Sequence, residues 1–211
     1  MKIIKSKDSL LILILIIFHL VGLVGMSFPK YRSEILFLSS VNLWISFGVL
    51  ILSRSNKFFH FILFGVLCFI LGITFEIIGV KTSLLFGEYY YGKPLGSKIY
   101  QIPIVIGLNW IMLPVCTGNL LHKLKWAIGF KTIAASLLIV FLDFLIEPIA
   151  VKNGYWYWKN GNIPAYNYVC WFILFLPILF LYFKSKLSEH NKVTNSLYII
   201  MLLFFGILNI I

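Results

Sequence analysis

Residues 58–80, FFHFILFGVLCFILGITFEIIGV, form a run of 23 residues in which Glu76 is the only Asp, Glu, Lys or Arg. A helix needs about 20 predominantly apolar residues to cross the hydrocarbon core of a bilayer, where its backbone groups must bond to one another. A transmembrane β-strand would need only about 9–11 residues of alternating polarity, and this run does not alternate. The stretch therefore predicts a transmembrane α-helix.

Similar apolar runs extend over the whole chain. Of its 211 residues, 61% are hydrophobic and 12% are charged, whereas a soluble domain has about 45–50% and about 25%. This composition excludes a soluble globular or disordered protein. The runs predict seven spans, at residues 9–26, 35–52, 58–80, 100–120, 128–146, 165–183 and 197–211. We therefore expect one all-α integral-membrane domain over residues 1–211, a polytopic transmembrane helical bundle.

The formal net charge of +11 comes from Lys and Arg residues that lie in small groups between the spans. A nucleic-acid surface needs clustered cations on one face, so we expect no nucleic-acid partner. With the N-terminus in the cytoplasm, eleven of these cations face inward and seven outward. The distribution weakly favours this orientation, in a cell (inner) membrane and in contact with membrane lipid.

Three carboxyl side chains lie in or at the ends of the predicted spans: Glu76, Asp143 and Glu147. An intramembrane charge costs about 2.5–3.5 kcal/mol on insertion scales, so such residues usually face the bundle interior and have a function. Asp143 and Glu147 stand at i and i+4, on one helix face, where two carboxyl groups can share a proton. The alternative is that Glu76 and Asp143 only hold helices together through polar partners.

The two longest loops, residues 81–99 and 147–164, follow the third and fifth spans and must lie on the same side of the membrane. Both are rich in aromatic residues: Tyr89, Tyr90 and Tyr91 in the first, and Tyr155, Trp156, Tyr157 and Trp158 in the second. Aromatic belts at the headgroup level are the simplest explanation. The regular alternation beside glycines favours a more specific structure.

The spacing of these residues suggests an internal repeat. In each half a carboxyl residue precedes two aromatic residues by 13 and 15 positions: Glu76 with Tyr89 and Tyr91, and Asp143 with Trp156 and Trp158. An Ile-Pro pair then precedes a tryptophan, Trp110 or Trp171, and Asn109 and Asn167 enter the same region. Because the third and fifth spans run in the same direction, spans 3–4 and 5–6 would form a parallel repeat around a shared cavity.

Several kinds of site are excluded by pattern. Cys68, Cys116 and Cys170 are isolated, which predicts neither a zinc site nor a disulfide framework. No glycine-rich nucleotide motif is present. His19 is the only histidine in the interior of a span, since His60 lies at the start of the third one. A hydrogen bond that packs helices is the expectation for His19. The sequence therefore predicts no metal site and no cofactor.

Residues 75–171 resemble the family of carotenoid biosynthesis membrane proteins, which includes hydratases that act on γ-carotene or bisanhydrobacterioruberin. The matching motifs are TSLLFGEYYY at residues 82–91, GYWYW at residues 154–158, two Ile-Pro pairs, and the residues Glu76, Trp110, Asp143, Glu147, Asn167 and Trp171. The resemblance implies cofactor-free addition of water to the terminal double bond of an acyclic carotenoid ψ-end group. It also implies a lipophilic carotenoid substrate from the bilayer, with other carotenoid-pathway enzymes as possible partners.

Hydration of a trisubstituted alkene passes through a tertiary carbocation, so it needs a protonated carboxylic acid, aromatic faces and a positioned water. In the chemistry that the resemblance implies, Asp143 is the expected proton donor, Glu147 shares its proton, and Glu76 orients or deprotonates the water. Asn109 and Asn167 are expected to hold the water. The expected substrate-binding residues are Tyr89, Tyr91, Asn109, Trp110, Trp156, Trp158, Asn167 and Trp171.

Three other functions remain open. A lycopene-cyclase-like enzyme would close a ring from the same cation instead of adding water. A small proton-coupled transporter would use Glu76 and Asp143 as a relay, although the acids gather at one end of the bundle. An assembly or scaffold subunit would need none of this chemistry.

Overall fold

Seven α-helices follow one another through residues 7–211, which are the residues that this computed structural model describes. The helices are α1 Lys7–Ser27, α2 Pro29–Ser53, α3 Phe58–Thr82, α4 Ile104–Leu120, α5 Ile128–Lys152, α6 Ala165–Lys184 and α7 Lys192–Leu208. Four short strands lie between them: β1 Tyr89–Tyr91, β2 Lys98–Ile99, β3 Ile102–Pro103 and β4 Trp156–Trp158. The predicted all-α bundle is confirmed for these residues.

Five of the helices, α1, α2, α3, α5 and α6, are long and apolar enough to cross a membrane. Helices α4 and α7 are apolar but have 17 residues each, below the usual length of about 20. Helix α4 contacts α2, α3, α5, α6 and α7, and all its residues from Val105 to Asn119 except Asn109 are buried. A helix enclosed in this way need not match the lipid thickness along its own length. The total of seven spans stays a prediction.

The helices of the fourth and seventh predicted spans begin at other residues than expected. The fourth span was expected to begin at Tyr100, but Tyr100 and Gln101 form the turn of a β2–β3 hairpin, with φ values of 47° and 73°. Helix α4 begins only after Pro103, whose restricted φ suits the residue before a helix. The seventh helix begins at Lys192 instead of residue 197, because the Asn191 side chain accepts hydrogen bonds from the next backbone N–H groups.

The fifth helix also extends beyond its predicted end at residue 146. It continues through Pro148 to Lys152, so Glu147 lies within α5 and not in the loop that follows. A proline costs a helix one backbone hydrogen bond and usually bends or ends it. Here the helix continues for one more turn, which keeps the carboxyl groups of Asp143 and Glu147 on one rigid element.

The two long loops meet on the same side of the bundle, as predicted, and pair with each other. Strands β1 and β4 run antiparallel, with Tyr89 opposite Trp158 and Tyr91 opposite Trp156. Beyond the strands, the Gly92 N–H donates to the Tyr155 carbonyl at 2.8 Å. A Cβ atom at Gly92 would collide with the Gly154 carbonyl oxygen, so this close approach requires glycine. We call this β1–β4 pair the aromatic sheet.

A buried ion pair joins the α2–α3 turn to the α6–α7 connection. Arg54 Nη1 lies 3.5 Å from Glu189 Oε1, and the two side chains are 2% and 7% exposed. The Glu189 carboxylate also accepts hydrogen bonds from Ser55 Oγ at 2.9 Å and from Asn191 Nδ2 at 3.1 Å. Sequence reasoning missed this pair because Glu189 lies outside the apolar runs.

We expect Arg54→Met to lower the free energy of unfolding by about 3–5 kcal/mol, because it leaves the Glu189 carboxylate buried without its cation. Thermal or denaturant unfolding in detergent micelles measures the change. Lys57→Met in the same turn is the control. Lys57 is exposed, so its loss is expected to change stability by only about 0.5 kcal/mol. Equal losses for both variants would contradict a structural role for the ion pair.

Candidate functional site

Glu76 lies near the end of α3 and is only 2% exposed. Its Oε2 atom accepts hydrogen bonds from the hydroxyl groups of Tyr89 at 2.5 Å and Tyr91 at 2.8 Å. Its Oε1 atom accepts one from Trp110 Nε1 at 3.3 Å. Three aromatic donors, from β1 and α4, therefore surround this carboxyl group.

Glu147 on α5 has a closely similar set of donors. Its Oε2 atom accepts hydrogen bonds from Trp156 Nε1 at 3.0 Å and Trp158 Nε1 at 2.9 Å. Its Oε1 atom accepts one from Asn167 Nδ2 at 3.1 Å. Glu147 is 2% exposed, so the β4 indoles and the α6 amide donate the hydrogen bonds that water would otherwise donate.

Asp143 lies one helical turn before Glu147 and shares a donor with it. The Asn167 Nδ2 atom that binds Glu147 also donates to Asp143 Oδ2 at 3.0 Å. Among residues 7–211, this is the one hydrogen bond found at the Asp143 carboxyl group. The i, i+4 spacing places the two carboxyl groups on one helix face, as the sequence predicted, and the Asn167 amide bridges them.

The aromatic sheet explains how these donors converge. Alternate residues of a strand point to opposite faces, so one face carries Tyr89, Tyr91, Trp156 and Trp158, whose polar atoms all bind Glu76 or Glu147. The opposite face carries Tyr90 and Tyr157, which are exposed and stack at 5.2 Å between ring centroids. An aromatic belt does not account for the first four residues.

Burial raises the pKa of the Tyr89 and Tyr91 hydroxyl groups well above the usual value, and the neighbouring Glu76 carboxylate adds to the effect. Both phenols therefore remain protonated at physiological pH and can donate to Glu76. Burial also raises the pKa of Tyr155 to about 12. Its hydroxyl group forms a hydrogen bond with Ser39 Oγ at 2.5 Å and connects the second loop to α2.

The hydrogen bonds match the residues of the two proposed repeat halves differently from their spacing in the sequence. Trp156 and Trp158 were aligned with Asp143, but their indoles donate to Glu147. The partner of Glu76 in the bonding pattern is therefore Glu147, one turn further along α5. The parallel internal repeat stays a prediction.

A cavity of about 230 Å³ lies beneath the aromatic sheet. All three carboxyl residues line it, together with seven of the eight expected substrate-binding residues: Tyr89, Tyr91, Asn109, Trp156, Trp158, Asn167 and Trp171. Helices α1, α2 and α7 supply most of its remaining wall, which is largely apolar.

Trp110 is the exception, and its expected contact with substrate is corrected. It is fully buried and, among the described residues, it is not one that lines the cavity. Its ring stacks on Trp171 at 5.2 Å and on Phe175 at 4.7 Å. A Cβ atom at Gly72 would overlap the Trp110 ring, so this glycine makes room for it. Trp110 is therefore a positioning residue, which donates a hydrogen bond to Glu76 from outside the cavity lining.

The cavity reaches the outer surface of the bundle at α1 and α2. Four apolar residues both line it and are exposed on these helices: Phe18, Val21, Leu38 and Val41. In a membrane this surface would face the lipid acyl chains. The arrangement therefore provides an apolar lateral opening.

Sequence reasoning missed the contribution of α2 to the cavity. Ser39, Asn42 and Ser46 all line it, and their i, i+3, i+7 spacing within an apolar span was the available signal. The expectation for His19 is also corrected. Its Nδ1 atom bonds to the Leu15 carbonyl oxygen of its own helix at 2.8 Å, not to a neighbouring helix.

Comparison with known proteins identifies the family of the chain. A family model described as "Carotenoid biosynthesis protein" matches residues 33–211. The bisanhydrobacterioruberin hydratase of Haloarcula japonica is 24% identical over 111 residues, which cover 46% of this chain and 36% of that protein. The match thus spans about a third of the relative's length. No solved structure matches the chain.

We expect Trp158→Phe to lower the free energy of unfolding by about 1–3 kcal/mol, because it removes a donor from the buried Glu147 carboxyl group and replaces the packed indole with a smaller aromatic ring. Thermal or denaturant unfolding in detergent micelles measures this change in the free energy of unfolding. Tyr157→Phe is the control, since its hydroxyl group lies on the exposed face and its loss is expected to matter by about 0.5 kcal/mol or less. The donor network would lose its assigned role if both variants were equally stable.

Proposed function

The chain belongs to the carotenoid biosynthesis protein family, and on this basis we propose that it adds water to the terminal double bond of an acyclic carotenoid end group by acid catalysis. The family and the distant hydratase relative support a carotenoid biosynthetic role. The observation that carries the proposal is the unequal number of hydrogen-bond donors at three carboxyl groups in one apolar cavity.

The donor sets indicate which carboxyl group holds the proton. Hydrogen bonds donated to a carboxylate favour its ionised form. Glu76 and Glu147 each accept three, whereas one is found at Asp143 among the described residues. Because two adjacent carboxyl groups in an apolar site favour sharing one proton, that proton is best placed on Asp143. We therefore assign Asp143 as the catalytic acid.

The proposed reaction has two bond-forming steps. Asp143 transfers its proton to the less substituted carbon of the double bond, and the neighbouring carbon becomes a tertiary cation. The oxygen of a water molecule then attacks this cation, and the water loses a proton to Glu76. Return of that proton to Asp143 restores the site, so the net reaction converts an alkene and water into a tertiary alcohol without a cofactor.

The cavity wall is suited to this cation and to the attacking water. The aromatic residues Tyr89, Tyr91, Trp156, Trp158 and Trp171 line the cavity, and aromatic faces stabilise a nearby cation by about 0.5–2 kcal/mol each. Hydrogen bonds from the ring edges to the carboxyl groups fix four of these rings in place. Asn109 and Asn167 are the amides available to hold the water.

The lateral opening at α1 and α2 suits an apolar substrate that is dissolved in the bilayer. A long polyene could place its end in the cavity while the rest of the chain stays in lipid. Other enzymes of the same pathway are the proposed partners, because such substrates and products remain in the membrane.

Ring closure from the same cation is the second candidate, since it needs the same acid and aromatic wall. The amides of Asn109 and Asn167, which line the same cavity as the carboxyl groups, favour water as the nucleophile. The two reactions differ in mass, because hydration adds one water and cyclisation adds nothing.

The test is mass spectrometry of pigments from bacterial hosts that make lycopene or γ-carotene and express this chain. We expect the native chain to yield pigment heavier by one water, and Asp143→Asn to lower the yield by about 10²- to 10⁴-fold, the contribution expected of a general acid. Glu88→Gln is the control, because Glu88 forms an exposed ion pair with Lys159. Unchanged pigment on every acyclic substrate would overturn the proposal, and a retention shift without a mass change would indicate cyclisation.

A second prediction concerns the lateral opening. We expect Val41→Trp to lower hydration of a full-length carotenoid by about tenfold, because access then limits turnover. Val66→Trp is the control, since Val66 is similarly exposed, 52% against 45% for Val41, but lies on α3 and away from the cavity. Pigment yield normalised to folded protein measures the effect. Equal yields for the two variants would show that substrate uses another route.

A further inference from the structure

An apolar groove of about 150 Å³ lies between α3 and α6, and the proposed reaction does not use it. Helix α4 packs against both of these helices. Two of the lining residues, Leu67 and Leu181, are each 39% exposed, so the groove opens toward lipid in a membrane. The side chains that line it are all apolar: Phe64, Leu67, Cys68, Leu71, Phe75, Leu174, Pro177, Ile178 and Leu181. We call it the α3–α6 groove.

The length of the α3–α6 groove matches the depth of one lipid leaflet. On α3 its lining extends from Phe64 to Phe75, and the rise of a helix over this interval is about 17 Å. The hydrocarbon core of a bilayer is about 30 Å thick, so one leaflet contributes about 15 Å. One acyl chain could therefore lie along the groove within its own leaflet.

Basic side chains gather at one end of the groove. Helix α3 begins after Lys57 and α6 ends at Lys184. These two ends meet, because Lys57 Nζ donates to the Ser185 carbonyl oxygen at 3.1 Å. Lys57, Lys184 and Lys186 are all exposed, and the groove residue Leu181 lies less than one turn before Lys184. A headgroup bound by these lysines would place an acyl chain at the entrance of the groove.

The charge at this end favours an anionic headgroup. In residues 54–57 and 185–191, all of which the structure describes, Glu189 is the one acidic residue. It is 6% exposed and already forms an ion pair with Arg54, so it does not neutralise the exposed lysines. Each basic residue near a membrane surface contributes about fivefold to the binding of anionic lipid. A hydrocarbon polyene or a zwitterionic lipid would gain little from these cations.

We propose that the α3–α6 groove binds one phospholipid with an anionic headgroup. The phosphate lies at Lys57, Lys184 and Lys186, and one acyl chain lies along the groove. Among the described residues, the groove and the cavity of the carboxyl groups have no lining residue in common. The lipid is therefore a resident ligand and not a substrate.

The far end of the groove contacts the wall of the candidate site. Phe75 lines the groove and packs against Trp110 at 5.6 Å between ring centroids. Trp110 in turn donates a hydrogen bond to Glu76. A ligand that binds only the folded state raises its stability, so the bound lipid is expected to raise the Tm of the bundle.

The experiment measures lipid binding to the whole chain in detergent micelles. Phosphatidylglycerol and phosphatidylcholine with identical acyl chains are compared, and native mass spectrometry counts the lipid molecules that stay bound. We expect one phosphatidylglycerol per chain, bound at least about tenfold more tightly than phosphatidylcholine and with a higher Tm. Equal affinities for the two lipids would overturn the inference.

Lysine variants test the headgroup contact. Lys57→Gln with Lys184→Gln is expected to weaken phosphatidylglycerol binding by at least about tenfold and to leave phosphatidylcholine binding unchanged. Lys7→Gln with Lys192→Gln is the matched control, because both residues are exposed and begin helices at the same end of the bundle. Helices α1 and α7 do not line the groove. An equal loss in both pairs would indicate a general attraction to the basic end and would overturn the inference.

A groove variant tests the acyl-chain contact. We expect Leu67→Trp to lose phosphatidylglycerol binding at the concentration that saturates the native chain, because the larger ring fills the groove. Leu63→Trp is the control, since Leu63 lies one turn earlier on α3, is 53% exposed and does not line the groove. Binding that survives in Leu67→Trp would contradict the proposed position of the chain.

Two other occupants would give different results, and either result would overturn the inference. A polyene is the occupant if lycopene displaces phosphatidylglycerol from the native chain but does not bind to Leu67→Trp. A second copy of the chain is the occupant if the native protein is a dimer that Leu67→Trp dissociates. Asp143→Asn is expected to bind phosphatidylglycerol as the native chain does, so this result is independent of the proposed reaction.

Discussion

The need to supply hydrogen bonds to carboxyl groups inside an apolar helix bundle is the constraint on which the rest of this structure depends. Glu76 and Glu147 are each 2% exposed, and an unpaired charge in such surroundings would be strongly destabilising. Their donors come from side chains of the aromatic sheet and from Trp110 and Asn167. The aromatic sheet forms only if the two long loops lie side by side, since each loop supplies one of its strands. The loops lie side by side because α3 and α5 end on the same side of the bundle.

The same arrangement produces chemical asymmetry among groups of one type. Three carboxyl groups line one cavity, yet two of them are saturated by donors and Asp143 is not. In the proposed reaction this asymmetry matters, because the carboxyl group with the fewest donors is the one that keeps its proton. In the proposed reaction the aromatic rings have two roles, since their polar edges stabilise the ionised carboxyl groups while the cavity that they line suits a carbocation. The proposed apolar opening at α1 and α2 would join this chemistry to the bilayer.

Much of the fold was predictable because the bilayer restricts the possibilities. Apolar runs located all seven helices, and the alternation of loop sides placed the two aromatic loops together. The errors lie where local structure depends on distant contacts. Helix α5 continues through Pro148, and α4 begins after a β-hairpin that the apolar run concealed. The buried pair of Arg54 and Glu189 was not predicted, because both residues lie in loops of the sequence. Their burial depends on how α2, α3, α6 and α7 pack together.

By itself, the sequence determined the class of protein, the helices and the three carboxyl groups, because composition and local spacing are sufficient for these. The proposed chemistry came from the resemblance to the family. Only the tertiary structure decided that Trp156 and Trp158 donate hydrogen bonds to Glu147 and not to Asp143. It also decided that Trp110 does not line the cavity, whereas His19 and Asn42 do. The physical reason is that hydrogen bonds act over about 3 Å. Residue spacing along one helix or loop cannot define which atoms of different elements approach that closely.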